Sequence, residues 1–384
     1  MGPSFDFDAP IDRLGTSSDK WAMYEESSIL PLWLADMDFR SPPAVIEALH
    51  RRIDHGVFGY TSAPKELIRV IVSMLETSYG WKVRPDWLVW LPGLVTGLNV
   101  ACRAVGEQGD EVLTAIPVYP PFLSAPKHSG RGLATVELRF VSGKWGFDFD
   151  ALEQAISPRT RLLLLCNPHN PVGRVFSPGE LLTISAICER HNLIVCSDEI
   201  HCGLILDRDK RHIPIATLAE DIAARTITFM APSKTFNLPG LGFSFAVIPD
   251  KRLRTDFRRA MAGIVPHVNV LGYTAAIGAY RDSADWHAAL LDYLRGNRDI
   301  VRAAVESMPG LAMSHVEATY LAWIDARRSG LDDPVKSFEA GGVGLGNGAA
   351  FGAPGFLRLT FGCPRSVLNN ALERMRAVVS GDVK

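Results

Sequence analysis

Three short apolar runs in this sequence end in clusters of residues able to do covalent and acid–base chemistry. Leu162–Cys166 runs into Asn167-Pro168-His169-Asn170-Pro171-Val172-Gly173. Leu193–Cys196 runs into Ser197-Asp198-Glu199-Ile200-His201, and Ile227–Met230 into Ala231-Pro232-Ser233-Lys234-Thr235-Phe236-Asn237. A lysine amine can capture a carbonyl and, once free, move protons. A carboxylate at the end of a buried strand is costly unless a cation lies against it. A fourth feature, Pro92-Gly93-Leu94-Val95-Thr96-Gly97, is a small-residue turn opening a helix. The free N–H groups and dipole of such a start suit a phosphate.

Amino-acid chemistry on pyridoxal 5'-phosphate needs this set of parts. Lys234 would hold the aldehyde as a Schiff base. Asp198 would keep the pyridine nitrogen protonated, so that the ring accepts the electrons of a Cα carbanion. Asn170 would donate to the ring phenolate oxygen. Tyr119, in the PVYPPF stretch that follows Val112–Ile116, would stack on the ring. The 93–97 turn would cradle the phosphate, with the Ser233 hydroxyl adding a bond. Each residue alone is ordinary: a surface lysine, a capping aspartate, a turn asparagine. Their order along the chain, each at an expected strand end, is what carries the reading.

The elements that must position these residues are legible in the pattern. Helical periodicity marks 43–55, 64–79 and 96–106. The apolar runs Val112–Ile116, Leu162–Cys166, Leu193–Cys196, Ile227–Met230 and Phe243–Ile248 suit strands buried on both faces. Ser177-Pro178-Gly179-Glu180 reads as a capping box that opens a helix reaching about His191. Strands alternating with helices imply an α/β fold with a largely parallel sheet, whose ligands gather beyond the carboxyl ends of the strands. Beyond about 265 the pattern is mainly helical, including 285–307. A strand over Thr319–Asp325, a Gly-rich stretch at 341–355, a strand over Phe356–Phe361 and a helix over 365–379 follow. The expected organisation is a large domain over 46–284 and a smaller α+β domain over 285–384. The irregular residues 1–45 are expected to pack with the smaller domain.

Composition narrows the class. The 384 residues are 47% hydrophobic and 21% charged, with a net charge of -2. That balance suits a folded enzyme and argues against nucleic acid or an anionic membrane as a partner. The basic run Lys251 to Arg259 reads as a solvated helix face. Six cysteines at 102, 166, 188, 196, 202 and 363 show neither disulfide-framework nor zinc spacing. They are expected to be free thiols in a reducing, cytoplasmic compartment, with no metal bound. The first residues, MGPSFDFDAPIDRL, have no apolar core of a signal peptide, and no run approaches a membrane span.

The motifs LPLWLADMDF (30–39), HGVFGYTSAP (55–64), PVYPPF (117–122), LLCNPHNPVGRVF (164–176), SDEIH (197–201), APSKTFNLPGL (231–241) and TYLAWID (319–325) span nearly the whole chain. On them the sequence resembles the fold-type I pyridoxal-phosphate enzymes, the aminotransferase class I/II superfamily. Within it, the chain most resembles the MalY/PatB-type cystathionine β-lyases. The resemblance implies a seven-stranded, mostly parallel sheet. It implies α,β-elimination from cystathionine or another S-substituted cysteine, giving thiol, pyruvate and ammonia. Lys234, Asp198, Asn170 and Tyr119 would take the roles above. The backbone at Leu94, Val95 and Thr96 would hold the phosphate with Ser233. His201 would lie at the cofactor where many aminotransferases have tyrosine. Tyr60 would reach the phosphate bound by a neighbouring subunit, making a homodimer with shared sites. Arg358 would pair with the substrate carboxylate, which the backbone near Ala35 also contacts.

Gly242 stands where many aminotransferases place a phosphate-binding arginine, again as in the lyases. Two positions depart from the lyase pattern: Thr96 replaces a usual proline, and Thr360 a usual asparagine. The alternatives are an aminotransferase on the same scaffold, or an enzyme cleaving, decarboxylating or deaminating a cysteine S-conjugate of a larger molecule. A purely regulatory binding protein is a further alternative, although no DNA-binding helix pair precedes the fold.

Overall fold

The computed structural model describes residues 5–381. The alternating pattern builds a seven-stranded sheet from β1 (Leu88–Leu91), β2 (Glu111–Ile116), β3 (Gly132–Glu137), β4 (Thr160–Cys166), β5 (Ile194–Asp198), β6 (Thr226–Met230) and β7 (Ser244–Val247). Their spatial order is β1-β7-β6-β5-β4-β2-β3. Neighbours are parallel, except that β7 runs antiparallel to both β1 and β6. Every residue of β6 and β7 is buried, which is why their sequences are continuous apolar runs. Cys166 of β4, Asp198 of β5 and Phe229 of β6 lie side by side in register. The three polar clusters therefore leave the sheet at one edge.

Two helices bear on that edge. The capping box expected at Ser177 and Glu180 is present and opens the helix Pro178–Arg190. The helix Leu94–Ala104 begins two residues earlier than the apolar periodicity suggests. It packs so closely on β6 that a Cβ at Gly97 would stand 2.9 Å from the Phe229 ring. Glycine is needed there for the helix to lie flat on the strand, with its N-terminus at the sheet's carboxyl edge.

A four-stranded antiparallel sheet follows, formed by β8 (Ala312–Met313), β9 (Leu321–Asp325), β10 (Gly346–Asn347) and β11 (Phe356–Thr360) in the order β8-β9-β11-β10. The long helix Ala284–Glu306 and the helix Arg365–Ser380 flank it. Phe7, Leu32, Met37 and Phe39 share an apolar core with Trp286, Leu321, Leu357 and Leu368. Leu30–Pro31 also pairs in parallel with Val343–Gly344.

β1 and β3 were not anticipated. The strand expected from Thr319 begins at Leu321, because Thr319 sits at φ 75° and cannot extend the ladder. All six cysteines are free, and five of them are buried. Among the described residues, no helix is long and apolar enough to cross a membrane.

Candidate functional site

Lys234 lies four residues beyond β6, in a loop tied to a distant part of the chain. Asn237, in the left-handed region at φ 56°, receives the Met37 N–H at 3.0 Å. It also donates to the Met37 and Phe39 carbonyls at 2.8 and 2.9 Å. This clamp brings the segment around Ala35 over the lysine, whose Nζ donates to the Ala35 carbonyl at 2.6 Å. Burial, then the Arg358 charge, pushes the amine down to about 8, against Asp36 and Asp198, which favour its charged form. A lysine in that state is partly neutral near physiological pH, as a base must be.

Asp198 ends β5 and is 3% exposed. Its only side-chain hydrogen bond among the described residues is accepted from the Ile200 N–H at 3.0 Å, and no ion pair joins it. Burial pushes the carboxyl up to about 7, the Ile200 bond opposes that, and Glu199 adds to it. The Lys234 charge works against that rise without forming an ion pair, so the acid can take a closer cation as partner.

Arg358, on β11, is a buried guanidinium with no carboxylate partner among the described residues. It donates to the Asn170 side-chain oxygen at 3.2 Å and to the Trp33 carbonyl at 2.9 Å, and its Nε has no partner. The Phe351 ring lies 4.7 Å from its centre. Burial lowers its pKa to about 10. Because Asn170 spends its oxygen on Arg358, its amide N–H groups are left to point elsewhere. His169 stiffens this turn through contacts at 3.2 Å to the Cys166 carbonyl and 2.7 Å to the Pro117 carbonyl. The second contact brings the Asn170 turn beside the loop carrying Tyr119. Tyr119 is half-buried, and its hydroxyl is raised by burial and feels both Arg358 and Asp198.

His201 is buried with an unpartnered Nδ1, and burial, Lys234 and Arg358 together push it down to about 3. It is a neutral ring that can give or take a hydrogen bond but not a charge. Lys234, Asp198, Tyr119, His201, Asn170 and Arg358 thus converge on one basin beyond the sheet edge, with the Ala35 carbonyl on its wall. A hollow of about 470 Å³ beside Trp145 and Arg174 is lined by none of these six residues.

At the far side of the basin, Gly93 precedes the start of the helix at Leu94, and the first intrahelical bond from this end is donated by Gly97. The N–H groups of Leu94, Val95 and Thr96 are free of that ladder. The Ser233 hydroxyl makes only a long 3.5 Å contact to the Phe243 carbonyl, so it can turn to another acceptor. Gly242 is left-handed at φ 58°, and a Cβ there would stand 3.1 Å from the Pro92 carbonyl. An arginine at this position would strain the backbone, so the cradle is built from N–H groups.

These observations fit pyridoxal phosphate: an amine of lowered pKa, a buried acid without an ion pair for a ring cation, and an anion cradle at the start of the helix Leu94–Ala104. Tyr60 stands apart, fully exposed on the single chain beside exposed Val57 and Phe58. Sequence reasoning missed Trp33, Asn237 and Tyr320. The last donates its hydroxyl to the Ala35 carbonyl at 3.0 Å. Asn237 closes the SKTFN motif, and that motif was the available signal.

The family model for aminotransferase class I and II matches residues 29–375. The cystathionine β-lyase PatB of Bacillus subtilis (strain 168) is 37% identical, over 97% of this chain and all of its own. The crystal structure of OvoB superposes with a TM-score of 0.96 at 47% identity, covering 98% of this chain and 99% of its own. That of cystalysin from Treponema denticola, which contains a pyridoxal 5'-phosphate cofactor, gives 0.95 at 32% identity and covers both chains fully.

Proposed function

Because the chain belongs to the aminotransferase class I and II family, we propose that it is a pyridoxal-phosphate-dependent carbon–sulfur β-lyase. It cleaves cystathionine or another S-substituted cysteine to a thiol, pyruvate and ammonia. The observation that carries this is the unpaired Arg358 guanidinium in the same basin as Lys234 and Asp198. That basin offers a carboxylate grip, a base and an acid for a ring cation.

When bound, the cofactor supplies an aldehyde for the substrate amine and a ring that accepts the Cα electron pair. Arg358 grips the substrate carboxylate through two parallel N–H groups, with the backbone near Ala35 beside it. The free Lys234 amine removes the Cα proton and, as an ammonium, returns a proton to the departing sulfur. Asp198 holds a proton at the ring nitrogen. The Asn170 amide donates to the ring oxygen, and His201 and Tyr119 flank the ring. Leu94, Val95, Thr96 and Ser233 hold the phosphate. Tyr60 reaches across to the phosphate bound by a second copy, which makes the working unit a homodimer. The unpaired thiols suit the cytoplasm.

Cutting Arg358 back to alanine should raise KM by about 10²-fold, the worth of a charge-assisted bidentate grip, with a smaller loss in kcat. Initial rates against substrate concentration check this, and an unchanged KM would take the carboxylate away from Arg358.

The reaction type is tested by incubating the protein with L-cystathionine or an S-alkyl-cysteine and assaying pyruvate and free thiol, with the same sample sized for a dimer. Product should form without any 2-oxo acid. Turnover only when a 2-oxo acid is added makes the protein an aminotransferase. One observation favours a variant of the lyase reading. Thr360, two residues beyond Arg358 on β11, has a buried hydroxyl with no partner. That spare group at the anchor suits a cysteine S-conjugate of a larger molecule, which belongs in the same assay.

A further inference from the structure

The Ala35 carbonyl accepts from two side chains at once, Lys234 Nζ at 2.6 Å and the Tyr320 hydroxyl at 3.0 Å. One donor is enough to satisfy a buried carbonyl. The second becomes necessary only when the first departs. A lysine that serves in turn as tether and as base must leave and regain a fixed position in every turnover. We propose that the Ala35 carbonyl, held by Tyr320, is the resting point of the free Lys234 amine, and that Tyr320 is a positioning residue for the proton transfers Lys234 performs. This rests on the role given to Lys234 under Proposed function.

The carbonyl is built not to follow the lysine. Asn237 clamps the adjacent backbone at Met37 and Phe39. In the same stretch Lys20, fully buried, donates to the Asp38 carboxylate at 2.7 Å and to the Asp36 carbonyl at 3.2 Å. Arg13 bridges the Asp36 and Asp38 carboxylates at 2.8 and 2.6 Å. Together these bonds fix the chain that follows residue 35, and before it the Trp33 carbonyl accepts from Arg358 at 2.9 Å.

Tyr320 is held with equal care. Thr319 before it sits at φ 75°, a left-handed conformation that β-branched residues avoid, and such strain persists only where the surroundings impose it. The Thr319 N–H donates to the Leu204 carbonyl at 2.8 Å, and its hydroxyl oxygen accepts from Leu321 at 3.2 Å. The Tyr320 carbonyl accepts from Phe361 at 2.9 Å, and its ring packs edge-on against His201 at 6.3 Å. A Cβ at Gly362 would come within 3.3 Å of that ring. Burial and the nearby Asp36 charge raise the phenol far above its usual range. The hydroxyl is therefore a permanent donor that does not compete with Lys234 as a base.

Tyr320→Phe removes only the second donor. The freed carbonyl then accepts more strongly from the lysine ammonium and favours the charged form. The groups already acting on that amine, Arg358, Asp36 and Asp198, are untouched. The expected result is a kcat about tenfold lower, the effect of one hydrogen bond on a proton transfer, with KM within about twofold. The acid limb of kcat should move to higher pH. A second readout does not involve turnover: the pH profile of the rate at which the apo-protein takes up pyridoxal phosphate, followed by absorbance. It should shift in the same direction. Thr319→Gly, which keeps the Tyr320 hydroxyl but frees the backbone before it, should fall between the two proteins in kcat and remain folded. An unchanged kcat and unchanged profiles in both variants would reduce Tyr320 to a packing residue. If Lys234→Ala kept its turnover, the lysine reading itself would fall; if that variant is inactive while Tyr320→Phe is normal, only the present proposal falls.

Discussion

Lys234→Ala should leave a protein that binds pyridoxal phosphate weakly, shows no absorbance band from a lysine-bound aldehyde, and turns over about 10⁴-fold more slowly. Both losses have one origin. In the role proposed for it the amine is both tether and base, and the two duties pull its environment in opposite directions. As a base it must be neutral in part of the population, and burial beside the Arg358 guanidinium brings it down to about 8. As a tether it must lie within covalent reach of an aldehyde whose ring faces Asp198. General-base removal alone accounts for 10²–10⁴ in rate, and loss of the covalent attachment adds to it. An added primary amine such as methylamine should restore some turnover, because it replaces the base without the tether. Spectra and pyruvate release measured on one sample check both halves. A variant retaining the band and the rate would mean that another amine does the work.

What the sequence made legible follows from where its signals are local. The chemistry-bearing clusters sit directly after apolar runs, so period and punctuation place Asp198, Asn170 and Lys234 at strand ends, and the register of Cys166, Asp198 and Phe229 brings them level. The direction of β7 was not legible, because a strand buried on both faces reads the same whichever way it runs. β3 escaped because it is an edge strand with one buried residue, Val136, and so has no apolar run. β1 is only four residues and follows a short turn at Pro85. The tie between Asn237 and the Met37 backbone spans 200 residues, and no local pattern can announce it. The same holds for the left-handed Thr319, since threonine is a strand former by propensity and only the surrounding packing forces it otherwise.

Asp198→Asn is expected to stabilise the apo-protein while nearly abolishing its function. The carboxyl is raised from 3.8 to about 7, chiefly by burial. A group whose folded pKa lies above its unfolded value binds more protons when folded, so its contribution to stability declines as pH rises through the window from about 4 to 7 and then stays low. A rise of that size is an unfavourable contribution of about 4 kcal/mol at neutral pH. Asparagine cannot ionise and fills nearly the same space. The apo variant should therefore match the parent near pH 4 and exceed it in thermal or urea melts by a margin that grows to about pH 7.

In the loaded protein the sign reverses. In the role proposed for Asp198 the parent carboxylate would then face a ring cation, and asparagine would offer a dipole where a full charge is needed to hold the ring proton. Losing a preorganised charge at a site of developing charge lowers rate by about 10³. The protein thus carries an acid that weakens it when empty because the bound state requires it, a local conflict of the kind functional sites retain. Melts of apo-parent and apo-variant at pH 4.5 and 7.5, with pyruvate release at pH 7.5, separate the two effects. Equal melts at both pH values, or a variant with near-normal turnover, would remove Asp198 from the ring nitrogen.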